Sequence, residues 1–83
     1  MSIRVRVRLF ALLRDRAGTA EVTVELAEGA TCADALDILF RRFPAMAGLG
    51  ERVACAVDQE YVERSTLLRD GDELALIPPV SGG

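Results

Sequence analysis

The chain has 83 residues, 51% of them hydrophobic, and its ten arginines face thirteen carboxylates for a formal charge of −3. A chain of this length forms one small domain with a thin core, since it buries only about 60–65% of the surface that its unfolded form exposes. The acidic balance argues against a nucleic-acid module, the absence of histidine removes the usual general base near pH 7, and the absence of lysine removes Schiff-base chemistry.

The segment "IRVRVRLF" alternates strictly, with Ile3, Val5, Val7 and Leu9 on one face and Arg4, Arg6 and Arg8 on the other. It reads as a half-buried strand whose arginine row is a solvated face and not a DNA-reading ribbon. "ALLRDRAGT" follows as a short helical turn ending at Gly18. "EVTVEL" alternates again and predicts a second strand antiparallel to the first. Thr31, with Asp34 three residues on, predicts a helix start. Leu36, Leu39, Phe40 and Phe43 then recur at helical spacing until Pro44 ends the element.

"AMAGLGE" reads as a loop, "VACAV" as an apolar central strand, and "DQEYV" as a turn into a brief edge strand. "RDGDE" is a tight turn in which Gly71 supplies a positive φ and Asp70 and Asp72 serve the turn. "ELALIP" is the last strand, and it stops at Pro78 because neither proline has an N–H to donate. The order β-β-α-β-β-β predicts an α+β fold with a mixed sheet of about five strands and one main helix packed on one face. It resembles a β-grasp (ubiquitin-like) roll, which implies that the first and last strands pair in parallel at the sheet centre. Periodicity alone also allows other α+β rolls.

Cys32 and Cys55 make no CxxC and have no histidine beside them, so no metal site or redox motif is readable. The sequence allows one disulfide between them; the reading adopted is two buried, reduced thiols. "MSIRVRV" lacks the apolar stretch of a signal peptide and no run approaches a membrane span, so the expectation is a cytoplasmic protein.

The chain closes on "IPPVSGG". The expected organisation is one domain over residues 1–83, with 78–83 as an extended C-terminal tail. Pro78 and Pro79 fix the direction of exit, and Val80 to Gly83 can then reach about 14 Å at roughly 3.5 Å per residue. Two glycines make a thin thread with free choice of φ, on which a catalyst approaches the terminal carbonyl carbon without meeting a Cβ. An ionised carboxylate is a poor electrophile, and the chain has no Walker loop, metal site or nucleophile–base pair with which to activate it. The residues therefore describe a passive carrier, with no catalytic residues of its own and no bound cofactor, whose C-terminus is processed by other enzymes.

"FALLRDRAGT" after the first strand and "DGDELALIPPVSGG" at the end resemble the MoaD/ThiS family of ubiquitin-like sulfur carriers, which includes the small subunit of molybdopterin synthase. The resemblance covers the whole chain in element order. It implies that Gly83 is adenylated with ATP by a ubiquitin-activating-like adenylyltransferase and converted to a thiocarboxylate. It further implies that Pro79, Val80, Ser81 and Gly82 enter the active site of the synthase large subunit, where sulfur passes to a pterin precursor in a hetero-oligomer. By position in the family motifs, Phe10, Tyr61 and Ile77 are candidates for a partner-docking patch, the alternative being that Phe10 and Ile77 belong to the core. Sulfur carriage for thiamine, cysteine or tRNA thiolation, a protein modifier joined through Gly83 to lysines elsewhere, and an interaction domain with an inert tail stay open as alternatives.

Overall fold

The computed structural model describes residues 1–78, Glu51 by its backbone only. The alternating first segment is strand β1, Ser2–Leu9, with Val5 and Val7 fully buried, Ile3 and Leu9 nearly so, and every arginine exposed. It pairs antiparallel with β2, Glu21–Ala27, in a register that sets Val5 opposite Val24 and Val7 opposite Val22. Apolar side chains thus meet across the two strands on one face only. The hinge between them is α1, Ala11–Ala17, which buries Leu13 and ends on Gly18 at φ 78°. There the Gly18 N–H donates to the Arg14 carbonyl at 2.9 Å, the left-handed helix cap anticipated from the glycine.

Helix α2, Cys32–Arg42, begins on the predicted cap. The Asp34 N–H donates to Thr31 Oγ1 at 3.3 Å while the Thr31 N–H donates to Asp34 Oδ2 at 2.9 Å, so aspartate closes the capping box here. Two more N–H groups of the first turn, those of Cys32 and Ala33, donate to the carbonyls of Thr66 and Arg64 at 3.0 and 2.9 Å. This end of the helix is therefore satisfied by the chain's own return loop. Ala35, Leu36 and Leu39 face the sheet, with Phe40 and Phe43 half-buried against the same core.

Residues 44–52 differ from expectation. They form a 3-10 helix, Pro44–Arg52, and not a loop. Its short, glycine-interrupted sequence shows no 3.6-residue period, but Pro44 is well placed to start a helical turn and Met46 is fully buried. Gly50 lies so close to α2 that a Cβ there would stand 2.8 Å from the Phe40 ring. Arg64 pins the end of this segment by donating to the carbonyls of Gly50 and of Val53, the latter at 3.1 Å.

Strands β3, Ala54–Val57, and β4, Glu60–Val62, form a tight hairpin, and β5, Glu73–Ile77, completes the sheet in the order β2-β1-β5-β3-β4. β5 runs parallel to β1 and antiparallel to β3, so it is central and flanked by strands on both sides. This is the β-grasp arrangement. The turn into β5 works as its residues suggest: Gly71 has φ 88° and donates to the Arg4 carbonyl at 2.8 Å, Asp70 Oδ1 accepts from the Arg4 N–H at 2.8 Å, and Asp72 Oδ2 accepts from the Arg69 N–H at 2.8 Å. Both cysteines are free and buried. Burial pushes the Cys32 thiol up to about 11, with Cys55 and then Asp72 adding to the shift, and burial also raises Cys55.

Candidate docking face and tail exit

Side chains in a strand alternate between faces, so the register decides which predicted residues meet. Leu74 and Leu76 of β5 are fully buried, which turns Glu73, Ala75 and Ile77 to the opposite, open face. Ala75 lies beside Arg8 of β1 and Ala56 of β3, and Ala56 lies opposite Tyr61 of β4. One row across four strands therefore reads Arg8, Ala75, Ala56, Tyr61. The next row toward the end of β5 holds Ile77 opposite Ala54, and Phe10 continues the extended backbone of β1 one residue past Leu9. Phe10, Tyr61 and Ile77 thus share the open face, spread over three inter-strand spacings, about 14 Å.

Tyr61 is 73% exposed and Phe10 37%, while Ile77 is half-buried and projects from the open face. None of the three is in the buried core. The sequence reading did not single out the floor between them, Ala54, Ala56 and Ala75. Its signal was the alternation of alanine with large residues in "ACAV" and "ELALI". Leu12 was also missed. It is 42% exposed, two residues after Phe10, whereas its neighbour Leu13 is fully buried. Seven residues of helix are too short for sequence periodicity to phase that Leu-Leu pair.

Arg6 and Arg8 of this face are ion-paired. Arg6 lies 3.8 Å from both Glu21 and Glu73, and Arg8 lies 3.2 Å from Glu73 with its guanidinium 5.5 Å from the centre of the Phe10 ring. Glutamates of β2 and β5 interleave with the arginine row, so it presents no basic stripe to a phosphate backbone. These exposed pairs contribute little stability, about 0–1 kcal/mol each. Their local effect is to hold Arg8 between Glu73 and Phe10 at the rim of the apolar floor.

β5 leaves the sheet at Ile77, at the end where β1 gives way to Phe10, and Pro78 follows as non-strand backbone. The remaining residues proposed for the tail, Pro79, Val80, Ser81, Gly82 and Gly83, lie outside the described residues. The described exit point is central in the sheet and adjoins the apolar face. Among the described residues, no cluster of three or more potential metal ligands occurs and no helix is long and apolar enough to cross a membrane.

The family model described as the ThiS family matches residues 7–83. The chain belongs to the ThiS family. A relative in Arabidopsis thaliana, named molybdopterin synthase sulfur carrier subunit, is 37% identical over 82 residues, covering 99% of this chain and 85% of its own length. Small archaeal modifier protein 1 of Haloferax volcanii has a similar structure, with a TM-score of 0.85 and 32% identity over 94% of this ThiS-family chain and 99% of its own. A complex of subunits 1 and 2 of molybdopterin-converting factor from Helicobacter pylori includes a chain with a TM-score of 0.68 at 23% identity, covering 98% of this chain and all of that one, a likeness of fold.

Proposed function

We propose that this chain is the sulfur carrier of molybdopterin synthesis, the small partner of a two-subunit synthase. The observation that carries the reading is the match of residues 7–83 to the ThiS family together with full-length relatives named molybdopterin synthase sulfur carrier subunit. The geometry supports it: the central strand β5 leads out of the sheet beside an apolar face formed by residues 10, 54, 56, 61, 75 and 77. A partner that receives the segment after Pro78 must approach over this end of the sheet, so docking and delivery share one surface.

In this proposal an adenylyltransferase of the ubiquitin-activating type joins the Gly83 carboxylate to AMP, with release of pyrophosphate from ATP. A sulfur donor then displaces AMP and leaves a thiocarboxylate. Pro79, Val80, Ser81 and Gly82 carry it into the large subunit, where the sulfur attacks a carbon of a pterin precursor and displaces an oxygen leaving group, forming a thioester to Gly83. Hydrolysis of the acyl group returns the Gly83 carboxylate for another cycle. Phe10, Tyr61 and Ile77 hold the large subunit while this happens. A reducing, cytoplasmic setting agrees with the two free thiols.

The test is intact-mass measurement after incubation with ATP, the activating enzyme and a sulfur donor. The expected gain is one oxygen-to-sulfur exchange, lost on deletion of Gly83 with an almost unchanged thermal melt. An unchanged mass for the intact chain, with the activating enzyme shown to work on its own carrier, overturns the proposal. The likeness to small archaeal modifier protein 1 favours a second reading, ligation through Gly83 to lysines of other proteins. In the same assay that activity appears as this chain attached to larger polypeptides.

A further inference from the structure

Among the described residues, three other than glycine have left-handed backbone: Ala11 at φ 49°, Asp58 at φ 50° and Gln59 at φ 71°. Their positions coincide with the two rims of the open face. Ala11 directly follows Phe10 and precedes the exposed Leu12. Asp58 and Gln59 are the two-residue loop of the β3–β4 hairpin, since Val57 pairs with Glu60 and Ala56 with Tyr61. Such a loop with both φ values positive is ordinarily built from Asn-Gly or Asp-Gly, because glycine takes this conformation without a Cβ penalty. Aspartate tolerates it; alanine and glutamine do so at a cost.

Among the described residues, glycine occupies the left-handed positions at 18, 29 and 71, none of them within two residues of Phe10 or Tyr61 in the sequence. The chain therefore uses the unstrained residue at those turns and departs from it at two points, each within two residues of a docking aromatic. At both points the surroundings hold the backbone. The Phe10 carbonyl accepts from the N–H groups of Leu13 and Arg14 at 3.1 and 3.5 Å, and the Asp58 N–H donates to the Glu73 carbonyl at 3.2 Å. Strained backbone that persists at a recognition surface is one way of fixing side chains before a partner arrives.

We propose that Ala11 and Gln59 are positioning residues that hold Phe10 and Tyr61 in their docking orientation ahead of binding, at some expense of fold stability. This rests on the reading of the open face as the docking face. Glycine at either position relieves the left-handed strain but gives the rim freedom that binding must then remove. A rim left free in the native state must be ordered again when the partner binds, and the expected loss is roughly 2- to 5-fold in affinity per glycine.

The experiment compares Ala11→Gly, Gln59→Gly and the double variant with the unchanged chain, for binding to the molybdopterin synthase large subunit of the same organism and for thermal melting. Phe10→Ala and Tyr61→Ala serve as controls. The expected result is a melting temperature that holds or rises, with affinity about 2- to 5-fold weaker per glycine and the losses compounding in the double variant. If the alanine controls weaken binding but the glycine variants do not, the positioning role is wrong and the docking face stands. If affinity and melting temperature fall together, the two residues serve only the fold and the positioning role is again wrong. If the alanine controls leave binding unchanged, the docking face itself is wrong and the proposal goes with it.

Discussion

Leu76 and Ile77 are adjacent in β5 but face opposite ways, and replacing each by alanine separates core from docking surface. Leu76 is fully buried between Leu9 of β1 and Cys55 of β3. Truncating it leaves a cavity in the thin core at a cost of about 2–5 kcal/mol. At roughly 4–8 °C per kcal/mol for a domain of this size, the melting temperature should fall by about 10–40 °C. Ile77 is half-buried on the open face, opposite Ala54, and its loss opens no cavity. Half of the roughly 1.5–3 kcal/mol for fully burying such a side chain gives about 1 kcal/mol, or about 4–8 °C. Urea and thermal unfolding measure both, and titration calorimetry against the synthase large subunit measures docking. Ile77→Ala should weaken binding several-fold, whereas Leu76→Ala, studied below its lowered melting temperature, should bind nearly normally. An Ile77→Ala cost equal to that of Leu76→Ala, or undiminished binding by Ile77→Ala, would refute the assignment of Ile77 to the docking face.

Two further outcomes concern the fold. Burial raises the Cys32 thiol from an ordinary value of 9.0 to about 11, so the native state holds its proton more tightly than the unfolded chain. The corresponding stability is fully present below about pH 9 and is lost as pH rises through about 11. At ~1.4 kcal/mol per unit the difference is on the order of 2–3 kcal/mol, and urea midpoints between pH 8 and 11 should fall less steeply for Cys32→Ala. Thr31→Ala removes the hydroxyl that accepts from the Asp34 N–H, and should cost about 1 kcal/mol, a drop of roughly 4–8 °C by thermal melting.

Much of the fold was readable because local chemistry and final environment agree. Alternation in β1 and β2 specifies one buried face wherever the strands lie, and the Thr31–Asp34 cap and the Gly71 turn need only near neighbours. The 3-10 helix was not readable because its helical character depends on seating Met46 in the core and on Arg64 holding the carbonyls of Gly50 and Val53, both distant contacts. Phe10, Tyr61 and Ile77, the residues proposed for docking, were singled out one at a time. Their common face depended on register, and the alanine floor carries no distinctive side-chain chemistry to announce it.

By itself, then, the sequence determined the strand faces, the caps and turns and the proline-stopped last strand, since each depends on the intrinsic geometry of a few consecutive residues. The pairing of β5 beside β1 was implied by the β-grasp resemblance and by no local pattern, and only the tertiary structure decided that residues 10, 61 and 77 share one open surface and that left-handed backbone at Ala11 and Gln59 stands at its rims. The physical reason is that strand pairing joins segments up to some 70 residues apart, and a shift of one residue in that pairing would turn every side chain to the other face.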